Sequence, residues 1–239
     1  MTQAKRLSTR LSAVLDLLKP CHCLADIGSD HGYLICEAVL AGKASRGVAV
    51  ELSQDPYQQT VLAVVEAFLM DEVSVRLGDG LGPLHMGEAD ALCIAGMGGK
   101  TIADILCRGR EKLESVKQLV LQPNVDAGKV RSCLKELGFV AEDETLVSDG
   151  GFIYQIISAA PKKNATPQIF ADRLCLMYGE HNLARGGALM RTLVERDVAH
   201  LESVAAQLLR ARDGAGVEKR HDVLSQIAQL RSYLAKMAG

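Results

Sequence analysis

Nowhere in the 239 residues do about 18 uncharged apolar residues run together, so no membrane-spanning helix is expected. The opening MTQAKRLSTRL lacks the apolar h-region of a secretory leader, and a cytoplasmic location is expected. Tryptophan is absent, and prolines number only six. The seven cysteines, at 21, 23, 36, 93, 107, 133 and 175, are odd in number and never form a CxxC. A disulfide framework is thereby disfavoured, and small buried hydrophobes in a reducing compartment are expected instead. Cys21 and Cys23 flank His22, but no second ligand cluster completes a metal site, and no metal is expected. A strong charge of one sign is also missing, the net charge being −2. The distribution is less even than the sum, because basic ends surround an acidic middle. That pattern suits a central pocket for a cation with flanks that touch phosphate, and ordinary solvated faces produce it too.

What is present alternates. An amphipathic stretch, Lys5 to Leu18, carries Leu7, Leu11, Val14, Leu15 and Leu18 at helical spacing. The strand CLADIG ends in a tight turn and is followed by the helical HGYLICEAVLAG. RGVAVEL reads as a second strand, and a helix with Pro56 in its first turn runs to about Met70. VSVRLGDG and ADALCIAG read as strands, TIADILCRG as a helix, KQLVLQPN as a strand and VRSCLKELG as a helix. Two β-rich runs, FVAEDETLV and FIYQIISA, follow, joined through Ser148-Asp149-Gly150-Gly151. Repeated strand–turn–helix units predict a parallel sheet covered on both faces, and the adjacent final pair predicts an antiparallel hairpin at one edge. Such a sheet binds ligands at the carboxyl ends of its strands, near the point where strand order reverses.

After residue 160 the strand signal is missing. Residues 162–167 read as a linker, 188–212 as one long amphipathic helix, 213–216 as a glycine turn and 218–237 as a second helix. The expected organisation is therefore an α/β domain over 1–160 and a helical hairpin over 161–239. The outward arginines 185, 191, 196, 210 and 212 are the functional hint in the second part.

Two nucleotide-binding loops fail for want of one glycine each. IAGMGGKT (94–101) resembles a triphosphate loop, but GxxxxGK[ST] would need glycine where Ile94 stands, and the loop follows the fourth strand rather than the first. DIGSDHGYL (26–34) resembles a dinucleotide fingerprint, but Asp30 occupies the second glycine position and would repel a pyrophosphate. Carboxylates at successive strand ends favour a ligand with a ribose, positive charge and no phosphate. S-adenosyl-L-methionine has those properties. Asp26 and Asp30 would face its cationic methionine end, Glu51 its ribose hydroxyls, and Asp79 its adenine amino group. For each acid alone, a surface or capping role explains the residue equally well.

LADIGSDHGYL, Glu51, GDGL (78–81), IAGMGG and LVLQPN, with the N-terminal RLSTRL and the helical tail, resemble the bacterial tRNA adenine-N1 methyltransferases that act on adenosine 22, in the D-arm region. The resemblance spans nearly the whole chain. It implies a class I, Rossmann-like methyltransferase sheet with the added edge hairpin and a C-terminal coiled-coil hairpin domain. S-adenosyl-L-methionine is the implied methyl donor and S-adenosyl-L-homocysteine the product. By position it carries over Asp26, Gly28, Ser29, His31, Gly32, Glu51, Leu52, Gly78, Asp79, Gly80, Ala95, Gly96 and Met97 as cofactor contacts. Asp30 matches the family's candidate catalytic acid. Gln155 departs from the pattern, standing where the family commonly has glutamate.

Adenine N1 bears an in-plane lone pair on its Watson–Crick edge, so the base must be exposed before it can react. The backbone of Gly96, Met97, Gly98 and Gly99 and the segment Gln122, Pro123, Asn124 are candidates to cradle it. Tyr33 is a candidate to stack on it, and Lys5, Arg6 and Arg10 to meet RNA phosphate. Asp30 either accepts a proton from the base or binds the cofactor's ammonium. The expected partner is tRNA, met by a monomer, with neither DNA nor a membrane involved. A methyltransferase for another RNA, a protein or a small molecule would share the pocket, and a non-catalytic RNA-binding protein would share the fold.

Overall fold

Seven strands form one sheet in the order β3-β2-β1-β4-β5-β7-β6. They appear in a computed structural model that describes residues 7–162, 173–208 and 214–237. In chain order the first part runs α1 (Thr9–Leu17), β1 (Cys21–Ile27), α2 (Tyr33–Leu40), β2 (Ala44–Glu51), α3 (Gln54–Glu66), β3 (Val73–Leu77), β4 (Ala91–Met97) and α4 (Gly99–Arg108). A short 3-10 turn, Arg110–Ser115, leads into β5 (Gln118–Pro123), α5 (Ala127–Glu136), β6 (Phe139–Asp149) and β7 (Phe152–Pro161). β1 to β5 are mutually parallel, and β7 pairs antiparallel with both β5 and β6. The expected hairpin is present, with its second strand nearer the centre and its first strand at the edge.

Burial follows position in the sheet. All six residues of β5 and the last five of β1 are buried, whereas β3, at one edge, is buried fully only at Val73. The strand period of two sends alternate side chains to two cores. Leu24, Ala49, Cys93 and Val120 pack with Val14 of α1, Leu34 and Ile35 of α2 and Val64 of α3. Ala25, Ile27, Leu92, Ile94, Leu119 and Leu121 pack with Ile102 and Leu106 of α4 and Val130 and Leu134 of α5. Sequence order reverses between β1 and β4, so their carboxyl ends diverge into a crevice at the centre of the sheet.

Local signals set the helix ends. Ser8 caps α1 by accepting from the Leu11 N–H, and Pro20 follows the helix. The helix expected to reach about Met70 stops at Glu66, because Phe68 adopts φ +58° and turns the chain.

The chain divides into two compact units, Met1–Ala171 and Asp172–Gly239. The second contains α6 (Arg173–Tyr178), α7 (Glu180–Arg185), α8 (Gly187–Leu208) and α9 (Gly214–Lys236). α8 and α9 run antiparallel: Arg231 bonds Glu202, and Arg191 donates to the Met237 carbonyl. Met190, Val194 and Val198 bury one stripe of α8, and Val223, Ile227 and Leu230 are buried on α9. Tyr178 is buried with its hydroxyl on Asp197. The two six-residue helices α6 and α7 were not announced by periodicity. Most of the expected 162–167 linker, the start of the 213–216 turn, and Arg210 and Arg212 lie outside the described residues.

Candidate active site

β1 and β2 each end in a buried acid. Asp26 is 2% exposed and Glu51 3%. Ser29 Oγ donates to Asp26 Oδ2 at 2.6 Å. Thr60 Oγ1, on α3, donates to Glu51 Oε1 at 2.9 Å, and the Asp30 main-chain N–H donates to the same carboxylate. Burial pushes Asp26 up to about 7; the Ser29 bond opposes the shift and the Glu51 charge adds to it. Burial likewise raises Glu51, against the pull of Thr60 and Asp30. Two carboxylates with few donors, side by side in a dry place, fit a ligand bringing positive charge and hydroxyls.

The loop between β1 and α2 is wound tightly around them. Asp30, His31 and Gly32 all take positive φ, at +43°, +75° and +70°. Backbone held in that region by non-glycine residues is strained, a condition that gathers at functional sites. The turn aims the Asp30 N–H inward and its carboxylate outward, where the side chain is 83% exposed with His31 Nε2 3.6 Å away. His31 stacks on Tyr33, ring centroids 5.6 Å apart. Gly28 lies against the Met97 side chain, closing the loop over β4.

Beyond β3, Asp79 is exposed and gripped through both carboxylate oxygens by Arg108 of α4, which holds its pKa below the ordinary carboxylate value. Gly78 and Gly80 flank it, and a cavity of about 150 Å3 opens there, lined by Asp79, Gly80, Leu81, Gly82, Ile105 and Arg108 among others. Leu52, beyond Glu51, is 71% exposed. A ligand amino group at Asp79 would share the carboxylate with Arg108, or displace it. Both side chains are solvated, so opening the pair is cheap.

On the other side of the crevice the site is built from amides. The β4–β5 register shifts between Ala95 and Met97, and Gly96 fills the bulge at φ +80°, a conformation that disfavours side chains. Gln122, wholly buried, accepts from the Gly96 N–H at 3.0 Å and from Arg10 Nη1, and donates to Asn124 Oδ1 at 3.1 Å. Asn124 Nδ2 returns to the Gly96 carbonyl at 2.6 Å, closing a ring of hydrogen bonds around the bulge. Gly99 has a different reason. A Cβ there would fall 2.2 Å from the Asp126 carbonyl oxygen, so only glycine lets α4 start against the β5–α5 loop.

The structure thus gathers the residues singled out in the sequence along one edge, in two groups. Asp26, Gly28, Ser29, Asp30, His31, Gly32 and Glu51 form the first; Ala95, Gly96, Met97, Gly98, Gly99, Gln122, Pro123 and Asn124 form the second. Arg10, a candidate for RNA phosphate on α1, turns inward to Gln122 and lies over the Tyr154 ring, 5.5 Å from its centroid. Lys5 and Arg6 lie outside the described residues. Thr60, Arg108, Asp149, Phe152 and Tyr154 had no sequence signal. Gln155 accepts from Arg131 at 2.8 Å, and Arg131 already has its counter-charge in buried Glu144. Among the described residues no group of three or more His, Cys, Asp or Glu could hold a metal ion.

A family model described as tRNA (adenine(22)-N(1))-methyltransferase matches residues 24–233. The Bacillus subtilis (strain 168) tRNA (adenine(22)-N(1))-methyltransferase is 33% identical over 233 residues, 97% of either chain. The crystal structure of the B. subtilis m1A22 tRNA methyltransferase TrmK superposes with a TM-score of 0.89 at 31% identity, covering 96% of this chain and 99% of that one. Streptococcus pneumoniae Sp1610, solved in complex with S-adenosyl-L-methionine, gives a TM-score of 0.84 at 27% identity, covering 96% of this chain and 100% of that one.

Proposed function

The chain belongs to the tRNA (adenine(22)-N(1))-methyltransferase family, and from that premise we propose that it transfers a methyl group from S-adenosyl-L-methionine to N1 of adenosine 22 in tRNA. The observation that carries the reading within this chain is the buried pair Asp26 and Glu51 at adjacent strand ends, which calls for a cation and a ribose and repels phosphate. The donor, when bound, supplies an electrophilic methyl group on a sulfonium. In this reading Asp26 takes its ammonium, Glu51 its ribose hydroxyls, and Asp79 its adenine amino group.

Adenine N1 attacks with its own lone pair, so the protein has to align rather than activate. The N1–CH3 bond forms as the S–CH3 bond breaks, the electron pair stays on sulfur, and the positive charge moves to the base. Holding the partners in line contributes up to roughly 7–11 kcal/mol of barrier reduction in favourable cases. The Gly96 bulge, held by Gln122 and Asn124, presents backbone and no side chain where the base must approach. In this reading Asp30, solvated at the β1–α2 loop, faces the growing positive charge and can accept the exocyclic amino proton. The same reading makes the protein a cytoplasmic monomer whose partner is tRNA.

Incubating the protein with S-adenosyl-L-methionine and tRNA carrying adenosine 22, then digesting the RNA for mass analysis, tests this. The expected product is 1-methyladenosine at position 22, absent when guanosine replaces that adenosine. Methylation at another position, or none, overturns the assignment.

A further inference from the structure

The tip of the β6–β7 hairpin carries a feature that neither the fold nor the cofactor side uses. Asp149 and Phe152 pair across it, so the tip lies where the carboxyl end of β5 emerges. Phe152 is 65% exposed there. Tyr154, two residues on and on the same face of the strand, is half-buried with its ring centroid 6.3 Å from that of Phe152. The next residue on that face, Ile156, is in the core with α1. The apolar stripe of β7 therefore runs out of the core and ends in an uncovered aromatic ring at the ligand-binding edge.

Arg10 ties that ring pair to the reaction centre. Its main-chain N–H donates to Asp149 Oδ2 at 3.1 Å, fixing α1 on the hairpin. Its guanidinium lies over Tyr154 and reaches Gln122, the residue that holds the Gly96 bulge. A Cβ on Gly96 would lie 3.3 Å from Arg10 Nη1, so the guanidinium and the bulge are in van der Waals reach. Bulge, guanidinium and the two rings, tilted 45° to each other, follow one another along this edge, and one oxygen of Asp149 is taken by the Arg10 main chain. A swung-out base needs a π face beside a floor without side chains, and this edge offers both.

We propose that Phe152, backed by Tyr154 and Arg10, is the stacking platform for the target adenine, setting the plane in which N1 meets the methyl group over Gly96. The inference rests on the tRNA reading above and names the residue that receives its base. Phe152 touches substrate; Tyr154 and Arg10 are positioning residues.

The test is a cycle on the full chain with Phe152→Ala and Phe152→Trp, using tRNA with adenosine 22 and the same tRNA abasic at position 22. Losing one aromatic–base stack lowers kcat/KM and affinity for intact tRNA about 5- to 150-fold. Affinity for the abasic tRNA changes less than about twofold, Phe152→Trp restores the loss, and affinity for S-adenosyl-L-methionine is unchanged. Because the ring is exposed, its truncation removes little packing. Wild-type protein that leaves adenosine 22 unmethylated overturns the tRNA reading and this platform together. Wild-type activity with an unaffected Phe152→Ala, an equal loss on abasic tRNA, or a parallel loss of cofactor affinity overturns the platform alone.

Discussion

The two sides of the crevice solve opposite problems. At β1 and β2 the site is made of carboxyl groups put where water is scarce: Asp26 and Glu51, with Ser29, Thr60 and the Asp30 N–H to offset burial. At β4, β5 and β7 it is made of neutral amides, an inward-turned guanidinium and aromatic rings, with Gln122 and Asn124 bonded to each other and to the Gly96 backbone. On the first side burial raises both carboxyl pKa values, so a cation there is favoured. On the second, hydrogen bonds close around the Gly96 bulge. In the proposed reading the cationic cofactor falls to the first half and the neutral base to the second. The contrast predicts that substitutions on one side change cofactor affinity and those on the other change substrate handling and stability.

The largest separation is expected at Glu51. Truncation to alanine removes a buried carboxylate that a ribose diol would bond through two oxygens. Hydrogen bonds to a charged group contribute about 1.5–3 kcal/mol, so affinity for S-adenosyl-L-methionine by titration calorimetry falls roughly 10- to 150-fold. Binding of tRNA, measured without cofactor, stays within about twofold. An equal loss of both affinities would break the division between the sides.

Gln122 is the counterpart. In Gln122→Leu the Gly96 N–H, the Arg10 guanidinium and the Asn124 amide lose their shared partner in a position that is wholly buried. Leaving a buried donor unpaired costs about 1–3 kcal/mol, and each kcal/mol lowers Tm by about 2–4 °C in a chain of this size. Turnover falls because the floor loosens, while cofactor affinity holds to within about threefold. Unchanged Tm with lost cofactor binding would place Gln122 on the other side.

The two sides also differ in how far the sequence discloses them. Asp26 and Glu51 are legible because each ends a short apolar run, and strand ends in a parallel sheet converge by topology. The alternation that revealed β1 to β5 is likewise local. The amide side depends on pairs far apart in the chain: Arg10 to Gln122 spans 112 residues and Arg10 to Asp149 spans 139. Nothing in the period of α1 tells that Arg10 turns inward, so phosphate was the natural expectation for it. Phe152 and Tyr154 read as ordinary strand residues until the hairpin register places them at the ligand edge. The place of Asp79 after β3 is legible in the sequence, but its Arg108 partner, 29 residues on, is not. α6 and α7, six residues each, are too short to show a period.

The smallest effect is the most specific to the charged side, since it follows from Asp26 alone. Burial lifts its folded-state pKa from 3.8 to about 7, so the fold favours the protonated acid. Its contribution to the stability of the ligand-free protein is therefore full below pH 3.8 and is lost as pH rises through 7. A ligand ammonium needs the ionised form, so binding must expel the proton at any pH below 7. Affinity for S-adenosyl-L-methionine should tighten roughly tenfold between about pH 6 and pH 7.5, with release of close to one proton at the acid end. The gain stops near pH 7.7–8.0, where an α-amino group begins to lose its own charge. Asp26→Asn keeps the shape, weakens binding, and abolishes both the slope and the proton release, which calorimetry in buffers of different ionisation enthalpy reads directly. A slope that survives in Asp26→Asn would move the titrating group elsewhere, with Glu51, raised by the same burial, the next carboxylate to replace.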